Sequence, residues 1–160
     1  KFSNTSRQTM EIAGFLMEKG IDFPKIIDNS FFAKTYGQAK LHGRAVLDSV
    51  RILDNRCVYT VVTTDELREY GCTVKATDGI VDQLRIIEGV EIAFLLYQTG
   101  NPGEYKVSLR TNSAVDVSRI AQSFGGGGHV KAAGCTMTGE PQEIVEKISG
   151  KIREQWEELK

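Results

Sequence analysis

The chain has 160 residues, 41% hydrophobic and 26% charged. This balance suits a soluble folded chain of one ordinary domain, or of one domain plus a fragment of another, and it excludes a disordered tail. Its 20 basic residues against 21 acidic ones give a net charge of -1. That excludes a large, non-specific DNA-coating surface, so any nucleic-acid ligand is expected to be small and locally held. No apolar run reaches membrane-span length and no signal-peptide pattern opens the chain, so a cytoplasmic protein without a membrane partner is expected. The first residue is Lys1 rather than Met, which reads as a piece of something longer.

Taken in chain order, Ile12, Phe15 and Leu16 recur at helical spacing between Ser6 and Lys19. Thr5 or Ser6 is the candidate N-cap, Gly20 the stop, and Gly14 an internal weak point. Pro24 suits the first turn of a second helix running through Ile26, Ile27 and Phe31. From Thr35 to Leu53 the residues Ala39, Val46, Leu47, Val50 and Leu53 predict one long helix, with a break allowed at Gly43. Nothing to this point reads as a strand.

The pattern changes at Asn55. Cys57 to Val62 is a β-branched strand, and Thr64-Asp65-Glu66 caps a short helix ending near Gly71. Thr77-Asp78 opens another short helix with Ile80, Val81 and Leu84. The apolar run from Val90 to Tyr97 predicts a central strand buried on both faces. Asn101-Pro102-Gly103 is a turn, and Glu104 to Thr111 its hairpin partner. Val117, Ile120, Ala121 and Phe124 mark a helix capped by Ser113 or Asp116. After Gly125 to Gly128 and a short segment to Met137, an amphipathic helix runs from Pro141 to about Leu159. The expected fold is α/β, a mixed β-sheet flanked by helices and preceded by a helical linker segment, with a boundary at residues 54 and 55.

Cys57, Cys72 and Cys135 have no CxxC spacing, so they describe neither a disulfide framework nor a zinc site. They read as partly buried thiols in a reducing compartment. His42 and His129, the two histidines, lie far apart without an acidic cluster. They predict no di-metal centre and no metal ligand in this chain.

The segment VSLRTNSAVDVSRIAQSFGGGGHVKAAGCTM, residues 107–137, carries the chemistry. Four successive glycines exceed what a turn needs, and they suit a backbone that turns its N–H groups toward a ligand. If His129 to Ala133 opens a short helix, those amides and the helix dipole form an anion site, with His129 at its mouth. Strand alternation buries Val107 and Leu109 and puts Ser108 and Arg110 together on the other face. Arg110 offers a planar fork for phosphate or for stacking on a base. The Ala132-Ala133-Gly134 trio suggests tightly packed backbone behind the loop. A flexible connector and solvated charges remain the plainer readings of the same residues. The sequence has no GxxxxGK[ST] and no GxSxG, and its glycines follow a helix rather than a strand, so P-loop, esterase and dinucleotide-binding motifs are excluded.

GGGGHVKAAGC resembles the GGGH-x-x-AAG signature of the DHH-associated C-terminal domain of RecJ-like DHH phosphoesterases. Ser108-Leu109-Arg110, Val115-Asp116-Val117, Phe124 to His129, and Ile80-Val81-Asp82 through Ala93 are similar to the bacterial nano-RNase/pAp-phosphatase branch. Phe2-Ser3-Asn4-Thr5 resembles the end of the catalytic DHH domain of those enzymes. The resemblance implies a hydrolase in which an N-terminal DHH domain holds two manganese ions, whereas this chain has no Asp-His-His triplet. It therefore implies a substrate-binding portion, inactive alone. Residues 1–54 would be the helical end of the catalytic domain plus linker, and residues 55–160 the DHH-associated domain. No catalytic residue is expected in the fragment. Ser108, Arg110, Gly125, Gly126, Gly127, Gly128 and His129 are the implied substrate-binding residues. The implied partners are short RNA or 3′-phosphoadenosine 5′-phosphate and the missing N-terminal domain, with a homodimer left open. A cyclic-di-AMP phosphodiesterase fragment and a stand-alone RNA-binding module are the alternatives.

Overall fold

The computed structural model describes residues 5–160; of the Phe2-Ser3-Asn4-Thr5 resemblance, the first three residues lie outside that range. The chain divides into two compact units, residues 1–35 and 36–160.

In the first unit, Ser6 caps helix α1 (Arg7–Glu18) through a reciprocal capping box with Thr9, which satisfies backbone donors that the helix start leaves unpaired. Gly20 follows at φ +79 and ends it. Helix α2 (Phe23–Ile27) starts with Asp22 as cap and Pro24 in its first turn, and it continues into a π-helical turn, Asp28–Phe32. None of these elements has a buried residue, and Phe15, Phe31 and Phe32 are exposed.

The second unit is an α/β fold on a mixed six-stranded sheet, as expected from the alternation of elements. The sheet is built from β1 (Val50–Ile52), β2 (Cys57–Val62), β3 (Ile92–Gln98), β4 (Glu104–Thr111), β5 (Gly127–His129) and β6 (Ala132–Thr138). Their order is β1-β2-β3-β4-β6-β5. Only β2 and β3 run parallel. The crossover between them is helix α4 (Thr64–Glu69), a 3₁₀ turn (Val74–Thr77) and helix α5 (Ile80–Arg85). The β3 strand is central, and Ile92 to Leu96 are buried without a break, because layers cover both of its faces.

Two expectations are corrected here. The long helix from Thr35 to Leu53 is helix α3 (Tyr36–Leu47), unbroken at Gly43, and Val50–Ile52 is a strand paired antiparallel with β2. Val46, Leu47, Val50 and Leu53 fit a helical stripe, but Leu53, Asp54 and Asn55 all take left-handed φ of 54–63°. Three such residues turn the chain sharply back into β2, a conformation that apolar spacing does not reveal. The short helices also start elsewhere: Thr63 caps α4 through a capping box with Glu66, and α5 follows the left-handed Gly79.

The two faces of the sheet are covered unequally. On one face, Phe94, Leu96, Val107, Leu109, Ala133 and Cys135 pack against helix α6 (Val117–Gln122) and helix α7 (Pro141–Glu158). Ile144, Ile148 and Ile152 form the apolar stripe of α7 and are fully buried, each stabilising by roughly 1.5–3 kcal/mol. On the other face, Val58, Val62, Ala93 and Leu95 pack under α3, α4 and α5. That cover lies mainly over β2 and β3, with α5 also reaching the Arg110 end of β4 through Asp82, and the second cluster takes no side chain from β4, β5 or β6.

Candidate functional site

The exposed half-face is built by strand register. Arg110 pairs with Ala132, and Ala132 with His129, so the three form one cross-strand row. Ser108, Gly134 and Gly127 form the next row, and Lys106 with Thr136 the one after, with Tyr97 beside Lys106 on β3. Directly opposed residues project to the same side. The expected pairing of Ser108 with Arg110, opposite the buried Val107 and Leu109, is what the strand shows. His129 and Arg110 lie two strands apart, about 10 Å between backbones. An open cavity of about 380 Å³ lies on this side, lined by Tyr97, Lys106, Ser108, Gly126, Gly134 and Thr136 among others.

The glycine run does not behave as expected. Gly125 sits at φ +74, its N–H donates to Gln122 O at 3.0 Å, and the Gly126 N–H donates to Ala121 O at 2.8 Å. These are the two bonds of a Schellman closure, so the run ends α6 instead of opening a helix. His129 to Ala133 is a strand, a tight turn and the start of another strand, so the glycine run supplies no helix N-terminus.

Packing explains most of the run. A Cβ on Gly126 would lie 2.2 Å from Gly134 O, and one on Gly128 would lie 2.6 Å from Ala132 O and from Ala133 Cα. The small residues of β6 therefore let β5 lie close, as the Ala132-Ala133-Gly134 trio suggested. Gly127 differs: its φ is not left-handed and a Cβ there would meet nothing within 4 Å. It stands in the row of Ser108 and leaves bare backbone on the open face.

The hairpin that carries His129 is tied down at its turn. Val117 N–H donates to Val130 O at 3.1 Å and Thr111 N–H to Lys131 O at 3.2 Å, and the Lys131 ammonium donates to Ser113 O. Lys131 is thus a brace for the turn. Asp116 caps α6, its Oδ1 accepting from the Ser118 N–H at 2.8 Å and the Ser118 hydroxyl at 2.5 Å. The Ser118 hydroxyl bond, with help from the Ser118 and Arg119 amides, holds the Asp116 carboxyl below its ordinary range. Buried Gln155 of α7 exchanges two hydrogen bonds with the Asp116 backbone, both 2.9 Å.

Arg110 is half-buried. Its Nη1 donates to Leu109 O at 3.0 Å, and its Nε lies 3.5 Å from Asp82 Oδ1. Asp82 stands at the same distance from Arg85 Nε, so one carboxylate on α5 sets two guanidinium groups beside the end of β4. Arg85 is fixed further by Asn112, whose side chain accepts from Arg85 Nη1 and donates to Arg85 O, both at 2.8 Å. Asp82, Tyr97, Lys106 and Thr136 escaped the sequence reading. Only the alternation of β4 pointed to Lys106, and nothing local pointed to the others.

Of the remaining candidates, Cys135 borders the cavity, whereas His42 and Cys57 are buried. His42 is buried, its ring nitrogens in contact with Gln83 Oε1 at 3.2 Å and Ala76 O at 2.9 Å. Burial pushes the Cys57 thiol up to about 12 and the Cys135 thiol up to about 11, which leaves both protonated and poorly nucleophilic. Among the described residues no three His, Cys, Asp or Glu side chains gather to hold a metal ion. No helix among them is long and apolar enough to cross a membrane.

Comparison with known proteins adds three likenesses. The chain is 28% identical over 156 residues to a bifunctional oligoribonuclease and PAP phosphatase of Thermus thermophilus, covering 97% of this chain and 46% of that one. It is 54% identical over 43 residues, 26% of its length and 11% of the other's, to an oligoribonuclease of Bacillus subtilis. An exopolyphosphatase-related protein of Bacteroides fragilis shares its fold with a TM-score of 0.85 at 22% identity, over 94% of this chain and 44% of that one. The chain thus spans about half the length of the Thermus relative. Residues 54–157 match the DHHA1 domain model, and the chain belongs to that family.

Proposed function

We propose that this chain is the substrate-holding portion of a DHH-family phosphoesterase that hydrolyses short oligoribonucleotides, 3′-phosphoadenosine 5′-phosphate, or both. The observation that carries the proposal is the uncovered half-face, where Arg110, Ser108, Gly127 and His129 share two neighbouring rows beside a cavity. Arg110, preset by Asp82, offers its remaining N–H groups to a phosphate or stacks on a base. The bare Gly127 backbone lets a nucleotide lie close, Ser108 offers a hydroxyl, and His129 closes the row from the edge strand. The names of the Thermus and Bacillus relatives support this substrate class.

The manganese ions that the resemblance implies do not fit the residues present here, since no donor cluster exists among those described. In this proposal they belong to a catalytic domain of a longer protein, and this chain binds and orients. Residues 1–54 are then the end of that domain plus its linker, and the exposed Phe15, Phe31 and Phe32 are faces which that domain covers.

Calorimetry of the chain with 3′-phosphoadenosine 5′-phosphate tests the proposal. Arg110→Ala is expected to weaken binding by about 2–3 kcal/mol, and exposed His129→Ala by less. Wild-type affinity in both variants refutes the assignment.

A further inference from the structure

At the Arg110 end of the open face two guanidinium groups share one carboxylate. Arg85 Nε and Arg110 Nε each lie 3.5 Å from Asp82 Oδ1, so the two nitrogens are at most twice that distance apart. We propose that Arg85 is a further ligand-binding residue, which forms with Arg110 a clamp that takes a phosphomonoester in preference to a phosphodiester. The inference rests on the phosphate-holding function proposed above and adds a specificity to it.

Three observations carry it. The first is an imbalance of charge. Among the described residues Asp82 is the only carboxylate within ion-pair distance of either guanidinium, and Glu91, just before β3, is taken up by Arg56 at 2.7 and 3.0 Å. One positive charge is left over where the two side chains are only 33% and 29% exposed, and a largely covered cation without a counter-ion favours an anionic ligand. The second is a pair of open donors. Arg110 Nη1 donates to Leu109 O and Arg85 Nη1 to Asn112 Oδ1, which leaves Nη2 of both groups without a hydrogen bond among the described residues. The third is that Arg85 is held in place before any ligand arrives. Asn112, two residues beyond Arg110, accepts from Arg85 Nη1 and donates to Arg85 O, both at 2.8 Å, and its own N–H donates to Glu91 O at 2.7 Å. A long side chain fixed in this way loses little freedom on binding.

Charge and oxygen count select the ligand. A phosphodiester has one charge and two terminal oxygens, which a single guanidinium fork satisfies. A phosphomonoester has nearly two charges at neutral pH and three terminal oxygens. It therefore has an oxygen for Nη2 of Arg85 as well as for Arg110, and its second charge meets the cation that Asp82 leaves unbalanced. The carboxylate faces the Nε side of both groups, so it sets the pair without occupying the Nη2 donors.

The experiment is an amide-resolved NMR titration of the chain at about pH 7.5 with adenosine 5′-monophosphate, a phosphomonoester that is mainly dianionic there. It is repeated with the methyl ester of that nucleotide, a phosphodiester with the same base and sugar. The wild-type chain is expected to bind the monoester about tenfold more tightly, the lower end of what one hydrogen bond to a charged group contributes. Arg85→Gln should bring the two affinities to within about twofold of each other, and Arg110→Gln should weaken both ligands. Arg85→Lys, the variant to use if the glutamine protein does not fold, keeps a charge but loses the fork, and should reduce the preference to about threefold. If wild type binds the two ligands alike, or if either Arg85 variant keeps the full ratio, Arg85 only braces α5 and the inference is overturned while the proposed function stands. If neither ligand shifts any amide of residues 106–112 or 127–129, the proposed function falls and the clamp with it.

Discussion

Alanine substitutions along the glycine run separate what the fold requires from what a ligand requires. A methyl group on Gly126 would stand 2.2 Å from Gly134 O and 2.5 Å from Cys135 Cβ. Both neighbours belong to a paired strand and cannot swing aside, so Gly126→Ala should cost about 3 kcal/mol, the upper end of overpacking. Gly128→Ala meets Ala132 O at 2.6 Å with φ at +144, adding backbone strain of about 1–3 kcal/mol to a similar clash. Gly127→Ala meets no atom within 4 Å and no left-handed φ. It should leave stability unchanged or raise it by about 0.4–1 kcal/mol, because alanine restricts the unfolded chain. Thermal unfolding ranks the three for stability, and calorimetry with 3′-phosphoadenosine 5′-phosphate ranks them for binding. The expected outcome is a Gly127→Ala protein as stable as wild type that binds at least about tenfold more weakly, since the new methyl occupies the ligand's side of the row. Wild-type affinity in Gly127→Ala would refute a role for that backbone in close approach. A stability loss there as large as at Gly126 would refute the packing account itself.

Two further outcomes follow from single side chains. The Asp116 carboxylate is held below its ordinary pKa, so the stability it adds is complete above about pH 4 and is lost as pH falls through its lowered folded value. In melts from pH 6 to pH 2.5, Asp116→Asn, which still caps but does not titrate, should lose less stability than wild type; parallel curves would contradict this. Thr60 is buried in β2 with a hydroxyl that has no hydrogen-bond partner. Thr60→Val should therefore stabilise by about 1 kcal/mol, a rise in Tm of roughly 3–5 °C, and a fall in Tm would count against it.

Where a local pattern determined structure, the sequence was readable. Period-two alternation placed β4 with its Ser108 and Arg110 face, the unbroken apolar run placed β3 at the centre, and α7 declared itself by its stripe of Ile144, Ile148 and Ile152. Errors arose where two periodicities coincide or where backbone conformation decides. Val50 and Leu53 satisfy a helical spacing, yet the left-handed residues Leu53, Asp54 and Asn55 force a strand and a turn. The glycine run closes α6 instead of opening a helix, a direction that the glycines alone do not show. Glycine suits a helix C-terminus as well as a ligand loop, and the choice depends on whether Gly126 can reach Ala121 O.

The candidate face was half legible for a related reason. Its residues on β4 follow from one strand's alternation, but its depth comes from register between strands distant in sequence. Tyr97 meets Lys106 across a hairpin, Thr136 joins from a strand about thirty residues later, and Asp82 reaches Arg110 from a crossover helix on the covered half. Uncovering the face needs no dedicated sequence signal. The β2 to β3 crossover packs its helices over those two strands, while the chain from β4 to β6 returns through α6 on the opposite side. A parallel crossover on one side and an antiparallel return on the other leave β6, β5 and all but the Arg110 end of β4 open on the crossover side. That topology explains why polar residues of β4 and Gly127 of β5 share an exposed surface within an otherwise three-layered fold.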